Sequence, residues 1–349
     1  MILPVLAAVD IGGTKTAAAL VRGGTVLARV RRATPATDGA AAVLDTAAAL
    51  VRSLGGAPVA VGVGAPGLVD PDSGRVTAAT SSIRDWSDVD VVTGLRARLG
   101  LPVAVLNDVQ AFTLGEAVHG AGRGLPTVLG VAVGTGVGGG VLAAGRLLTG
   151  RSGAAGHLGH VPVPQAAGRP CPCGATGHVE AVASGPATAA RYAERTGATG
   201  VALPEVVRRA RSGDGDALAV IALAGEALGT ALAGLTNTLD PDCVVIGGGA
   251  AVPELLDALR PAFAAACLPV LGAVPVVPAA LGTDAQLVGA AEAALRALPG
   301  PTGRAGPAGT LERTRAAGSA GAGRDATGTN AAVTDGATTG PPGSAAVTR

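Results

Sequence analysis

Aromatic side chains are nearly missing from this chain. It has one Trp, one Tyr and two Phe in 349 residues, so its core must be filled by aliphatic and alanine side chains. Lysine is scarcer still: Lys15 is the only one, and arginine supplies every other basic residue. A GC-rich genome produces such a composition by itself. Basic and acidic residues nearly cancel, 26 against 25, which leaves no electrostatic case for nucleic acid, an anionic membrane or an acidic partner. Four cysteines are too few for a disulfide framework in a chain of this length. The start, Met-Ile-Leu-Pro-Val, has no early basic residue and soon reaches Asp10, unlike a secretory signal. No Gly-x-x-x-x-Gly-Lys-Ser/Thr occurs, which excludes a P-loop.

Glycine is abundant, with 56 residues, and it marks out the chain. The uncharged stretch Gly124 to Gly145 has the length of a membrane span, but its eight glycines suit buried strands and a tight turn better than a lipid-facing helix. A cytoplasmic protein is therefore expected. Apolar runs at Ile2 to Ala8, Ala17 to Val21, Pro58 to Val63 and Val103 to Leu106 read as strands, and Ala40 to Leu54 as a helix. Strand, glycine turn and strand recur at Val128 to Val133, Gly134 to Gly140 and Val141 to Ala144. This echo predicts two related α/β lobes facing a cleft. A long helix over Asp214 to Leu239, a strand at Cys243 to Ile246 and a last helix over Asp284 to Leu298 follow, with Thr283 as candidate N-cap. The domains expected are an N-terminal lobe over 1–118 and a C-terminal lobe over 119–283. Residues 284–298 form a helix packing back on the first lobe. From 299 to 349 the composition turns to Gly, Ala, Thr, Pro, Ser and Arg, which predicts a disordered tail.

Three glycine loops each follow an apolar strand: Asp10-Ile-Gly-Gly-Thr-Lys15, Gly134-Thr-Gly136-Val-Gly-Gly-Gly140 and Gly247-Gly-Gly249. Such loops bring backbone N–H groups close to anionic oxygens, or simply join strands. Thr14 and Thr135 add hydroxyl donors, and Asp10 can hold phosphate-bound magnesium through water. Gly134, Gly136 and Gly139 satisfy the dinucleotide G-x-G-x-x-G. No acid follows before Glu180, so the ribose partner is missing and that reading fails. His160, Cys171, Cys173 and His178 offer two thiolates and two imidazoles for a tetrahedral zinc, or are unmetallated buried thiols with two neighbouring histidines. Cys243 and Cys267 sit in apolar patterns and read as core. Asn107-Asp108, at a strand end, is the candidate for acid–base work and equally a turn-forming pair.

Together these motifs resemble the ROK family (repressors, open reading frames and sugar kinases) of the hexokinase–actin-like ATPase fold, from about Leu6 to Leu298. The resemblance rests on Asp10 to Lys15, Gly64-Ala-Pro-Gly67, Asn107-Asp108, Gly134 to Gly140, Ala155-Gly-His-Leu-Gly-His160, Cys171 to Glu180 and Gly247 to Gly249. It implies an α/β, two-lobed, ribonuclease H-like architecture and an ATP-dependent sugar 6-kinase using Mg²⁺ and a structural Zn²⁺. In that family's pattern Asp108 is the base for the sugar 6-hydroxyl. Gly64, Gly67, Asn107, His157, His160 and Glu180 meet the sugar. Asp10, Gly12, Gly13, Thr14, Lys15, Gly134, Thr135 and Gly136 serve the phosphates, and Gly247 and Gly248 the adenosine. His160, Cys171, Cys173 and His178 are the zinc ligands, and a homodimer is implied.

Three positions depart from the family pattern. His178 replaces a zinc cysteine. His157 stands where glucokinases have glutamate, and looks like bacterial N-acetylmannosamine kinases. Ser82, in Ser82-Ile-Arg-Asp-Trp86, replaces an asparagine. The expected substrate is therefore N-acetylmannosamine, with glucose as the alternative. A sugar-responsive regulator of the same family would carry a helix-turn-helix module before the first glycine loop, which this chain reaches at Asp10, so the kinase is expected instead.

Overall fold

The computed structural model describes residues 3–299. The expected disordered tail thus lies outside the described residues, apart from Pro299. Twelve strands and nine α-helices are present among them. The first half contains β1 (Leu6–Ile11), β2 (Lys15–Arg22), β3 (Thr25–Ala33), α1 (Ala40–Ser53), β4 (Val61–Ala65) and a short hairpin of β5 (Leu68–Val69) and β6 (Val76–Ala78). It continues with α2 (Val91–Leu99), β7 (Val103–Asn107) and α3 (Asp108–His119). The second half contains β8 (Val128–Val133), β9 (Val137–Ala143), β10 (Arg146–Leu148), α4 (Glu180–Ala183), α5 (Gly185–Thr196), α6 (Leu203–Arg211) and α7 (Gly215–Leu239). Last come β11 (Cys243–Gly247), α8 (Pro253–Ala266), β12 (Val276–Pro278) and α9 (Ala285–Ala297).

The two five-stranded sheets repeat one topology. Their orders are β3-β2-β1-β4-β7 and β10-β9-β8-β11-β12. In each, a central strand pairs antiparallel with the next strand through a glycine turn, and parallel with a later strand on its other side. The echo read in the sequence is therefore architectural. Gly124 to Gly145 folds as the β8–β9 hairpin with the loops on either side. The one helix among the described residues long and apolar enough to cross a membrane is α7, and more than half of its apolar window is buried inside the protein.

Several boundaries moved for identifiable reasons. β1 starts at Leu6 and runs through Asp10, because Asp10 still pairs in the ladder with Ala17 and with Gly64. β4 starts at Val61, after Pro58, which has no N–H to give a ladder. Gly138 to Gly140 lie within β9 rather than in a turn: α3 and the 157–160 loop press so close that added methyls there would meet Val109, Leu158 and Thr113. Thr283 does not cap α9. It sits in a 3₁₀ turn, where its hydroxyl accepts from Arg29, and Asp284 at the N-cap position is likewise held by Arg29. β3 escaped the sequence reading because, as an exposed edge strand rich in arginine, it has no apolar alternation to detect.

α3 and α9 pack against each other; α9 lies on the first sheet, and α3 also touches the second. Glycines allow this approach. A Cβ at Gly289 would fall on the carbonyl oxygen of Ala111, one at Gly62 on that of Ala290, and one at Gly115 on that of Ala285. Thr113 of α3 fills the space beside Gly130 and Gly140 in the second sheet. Helix propensity alone makes Gly289→Ala stabilising by about 1 kcal/mol. The obstruction is backbone, which cannot swing aside, so overpacking wins. Gly289→Ala is expected to lower unfolding free energy by roughly 1–3 kcal/mol in denaturant titration, and an unchanged midpoint would refute this packing.

Candidate functional site

Strand register brings two acids to one sheet edge. Asp10 lies opposite Gly64, and Gly64 opposite Leu106, so Asp108 emerges just past the end of the next strand. A Cβ added at Gly64 would stand 3.7 Å from Asp10 Oδ1 and 3.5 Å from the Asp108 Cα, which places this glycine between the acids. Asp108 opens α3, and Asn107 caps the helix by accepting from the N–H groups of Val109 (3.0 Å) and Gln110 (3.2 Å). The Asn107 amide also donates to the Gly67 carbonyl at 3.0 Å, which leaves it one N–H for any ligand. Trp86 holds the same loop by donating to the Pro66 carbonyl at 3.0 Å.

Both carboxyls are drawn away from water. Burial pushes Asp108 up to about 6, against the opposing pull of the Val109 N–H. Burial, and then the charge of Asp108, pushes Asp10 up to about 7. A carboxyl whose native pKa lies above its unfolded value binds more protons when folded. The pair therefore costs stability as pH rises through the window from about 4 to 7, and that cost is fully present above it. Structure alone gives no reason to keep such a pair. Its poise near neutrality suits proton transfer and cation binding.

Two glycine turns flank these acids in sequence and topology. In the first, Gly12 N–H donates to the Lys15 carbonyl at 2.9 Å, Gly13 lies against Ser82, and Thr14 and Lys15 are exposed. In the second, Gly134 N–H donates to the Gly136 carbonyl at 2.8 Å, and the Gly185 N–H at the start of α5 donates to the Gly134 carbonyl at 2.8 Å. Glu180 accepts from the Val137 N–H at 2.8 Å, and a Cβ at Gly136 would sit 2.7 Å from the same carboxylate oxygen. Glu180 thus braces the turn and keeps its other oxygen. Beside this turn opens a largely apolar cavity of about 690 Å³, walled by Thr135, Ala189, Val201, Leu203, Gly249 and Ala250. Gly247 and Gly248 do not line it. Gly247 ends β11 against Phe112, and Gly248, at φ +96°, packs on the Val133 backbone; the chain reaches the cavity only at Gly249.

The 153–160 loop, which carries His157 and His160, is held to the start of α3 at its first residues. Gln110, buried one turn into that helix, donates to the carbonyls of Gly153 (3.1 Å) and Ala155 (3.3 Å). The sequence reading passed over it; a polar side chain two residues after the acid, at the start of a largely apolar helix, was the available signal. Glu116 was passed over too. It is fully buried and accepts from the N–H groups of Ala121, Ala280 and Leu281, joining α3 to the segment before α9. His157 Nδ1 lies 3.1 Å from the Ala154 carbonyl, so it carries the proton and leaves Nε2 as an acceptor. Burial lowers the pKa of His157, which favours this neutral form.

His160, Cys171, Cys173 and His178 converge, with one ligand atom from each within 4.8 Å of the others. Cys171 Sγ lies 3.6 Å from His160 Nδ1, and Cys173 Sγ 3.2 Å from His178 Nδ1. Tetrahedral zinc with sulfur at about 2.3 Å and nitrogen at about 2.0 Å requires ligand separations of this size. The donor set and spacing therefore fit a zinc ion. A small knuckle shapes the set: Pro170 bridges Thr176, and Pro162 bridges His178. Cys243 and Cys267 are buried away from it, as core residues.

Comparison with known proteins matches the same elements. The ROK family profile covers residues 6–297. A glucokinase of Thermotoga maritima is 35% identical over 82% of this chain and 96% of its own. An N-acetylmannosamine kinase of Escherichia coli is also 35% identical, over 81% of this chain and 96% of its own. The crystal structure of a ROK family glucokinase from Streptomyces griseus in complex with glucose and AMPPNP superimposes with a TM-score of 0.73. It is 34% identical and covers 83% of this chain and 99% of that one. With the duplicated sheet, the paired acids and the His/Cys knuckle in the family's order, the chain belongs to the ROK family.

Proposed function

We propose that this chain is an ATP-dependent sugar kinase that phosphorylates the 6-hydroxyl of N-acetylmannosamine, with Asp108 as general base. The observation that carries the reading is the placement of Asp108. It is a carboxylate poised near pH 6 at a helix N-terminus, across Gly64 from Asp10, on the sheet edge that carries the first glycine turn. ATP takes the 690 Å³ cavity for its adenosine, with its phosphates over the Gly134–Gly136 and Gly12–Thr14 turns. The sugar lies between the Gly64–Gly67 loop and the 153–160 loop. Asp108 accepts the proton of the 6-hydroxyl as that oxygen attacks the γ-phosphorus, and ADP leaves with the electron pair of the broken P–O bond. Asp10 is a hard oxygen donor and would hold Mg²⁺ through water, and the ion bound with ATP would neutralise charge on the phosphates.

His157 supports the choice of sugar. Its free Nε2 is a neutral acceptor, where the glucokinase pattern has a charged glutamate with two acceptor oxygens. Glucose remains a second reading, because glucokinase and N-acetylmannosamine kinase relatives match at the same identity. His160, Cys171, Cys173 and His178 would hold a zinc ion as a cross-link. Bound there, it would tie the 3₁₀ turn Leu158–His160 to the segment that leads into α4, and ligation through His160 Nδ1 would leave Nε2 for a sugar hydroxyl.

Turnover, stability, pH dependence, sugar preference and metal content each test this reading. Asp108→Asn keeps the acceptor for the Val109 N–H and loses the base. ADP release with MgATP should fall about 10²–10⁴-fold. The same variant should be more stable than the parent at pH 8, by roughly 1–3 kcal/mol, because the buried charge is gone. In the parent, kcat/KM should fall tenfold per pH unit below about 6 and flatten above. Full activity in Asp108→Asn sinks the base assignment. Side by side, N-acetylmannosamine should exceed glucose in kcat/KM by about tenfold or more, and His157→Glu should narrow or reverse that ratio. A parent that prefers glucose overturns the sugar assignment and spares the kinase. Metal analysis should find one zinc per chain, and its removal by chelation should lower the thermal midpoint and raise KM for the sugar. Metal-free protein of equal stability would leave the knuckle a thiol–imidazole cluster.

A further inference from the structure

A second cavity lies away from the paired acids, and no step of the proposed reaction uses it. It has a volume of about 610 Å³, within the range of small-molecule sites. Its walls come from three parts of the fold: the outer strand β7 and helix α2 of the first half, the outer strand β10 of the second half, and α9. β7 and β10 are each the last strand of their sheet, so the cavity is the gap between two sheet edges. Its floor is apolar, with Leu106, Leu114 and Leu147 among the lining.

The charge around that floor is one-sided. Arg96 of α2, Arg146 of β10 and Arg296 of α9 line the cavity, against a single carboxylate, Asp72. The side chains of Arg96 and Arg146 make no hydrogen bond or ion pair among the described residues; Arg96 acts through its field on Asp90, the N-cap of its own helix. Arg296 is engaged, with Glu292 at 2.8 Å and the Gly145 carbonyl at 3.1 Å, and thereby ties α9 to the β9–β10 turn. In a chain with nearly balanced charge, two exposed guanidiniums without partners and a third held in place line one half-open, largely apolar cavity from three separate elements.

We infer that this cavity binds an organic anion, a phosphate or carboxylate group on an apolar body, with Arg96 and Arg146 taking the charged group. Guanidinium forks suit either group through paired, charge-assisted hydrogen bonds, and Thr149 of the same lining adds a hydroxyl. Such a ligand touches both sheet edges and α9 at once. It therefore fixes the spacing between the sheet that carries Asp10 and Asp108 and the sheet that carries the Gly134 turn. Binding at this site tunes turnover from a distance, and that kinetic consequence alone rests on the kinase reading.

The test is calorimetry with phenyl phosphate and benzoate as probes, on protein whose cleft is saturated with AMP-PNP and sugar. One equivalent of probe should bind, and Arg96→Gln/Arg146→Gln should bind it about tenfold or more weakly, as expected for lost charge-assisted bonds. The double variant should keep its circular dichroism spectrum and its turnover without probe, because neither arginine belongs to the catalytic site. The probe should change kcat in the parent and not in the variant. Tighter binding of phenyl phosphate assigns a phosphate ligand, and tighter binding of benzoate a carboxylate. Absence of heat at millimolar probe, or equal binding by parent and variant, overturns the site. Binding by a protein that phosphorylates no sugar would sink the kinase reading and leave this site standing.

Discussion

One helix terminus holds this structure together. The start of α3 closes the first sheet, presents Asp108, and through Asn107 and Gln110 grips the Gly67 loop on one side and the 153–155 loop on the other. The rest of the helix must then pass between α9 and the second sheet. A helix can do so only if its neighbours yield room, which explains glycine at 115, 130, 140 and 289, where a methyl group would strike backbone or Thr113, while Gly62 makes the same room for α9 on the first sheet. The placement of Asp108 and the packing of α3 are therefore the same constraint. A shift of α3 that relieved either would move Asp108.

The acids show the cost of that arrangement. Asp10 and Asp108 sit partly buried with no guanidinium or ammonium to pair with them among the described hydrogen bonds and ion pairs. Buried carboxylates that serve stability are bonded as Glu116 is, with three backbone N–H donors around it. The contrast separates two uses of a buried acid. Glu116 is satisfied by three donors inside the protein, whereas Asp108 has the Val109 N–H and both acids stay raised by burial.

Glycine also accounts for how the chain forms a core with four aromatic residues other than histidine. Trp86, Phe112 and Phe263 are buried, but alanine, valine and leucine fill most of the space around them. Small side chains fill a volume only if the backbones come close. The α3–α9 crossing does this, as does the α7–α8 pair, where Gly225 and Gly229 lie against the backbone of Leu255 and Leu259.

Much of this was legible in the sequence, because strands ending in glycine turns impose a period that survives without any tertiary contact. The α/β class, the repeat of the β1–β2 hairpin in β8–β9, and the roles of Cys243 and Cys267 as core needed only hydrophobic pattern and spacing. Asp10, Asp108 and the His/Cys set could likewise be named as chemistry-bearing residues. Their partnership could not. Asp10 and Asp108 are distant in sequence, and only the parallel register of β1, β4 and β7 sets them across one glycine. The tautomer of His157 depends on a carbonyl three residues away whose direction the loop decides. Gln110, Glu116 and the place of Gly249 at the cavity wall depend on which way a helix face or a chain bend points. Local pattern determined which groups the protein has, because propensity and period act over neighbouring residues. Tertiary structure decided which of them meet, because meeting requires strand register and helix packing across the whole chain.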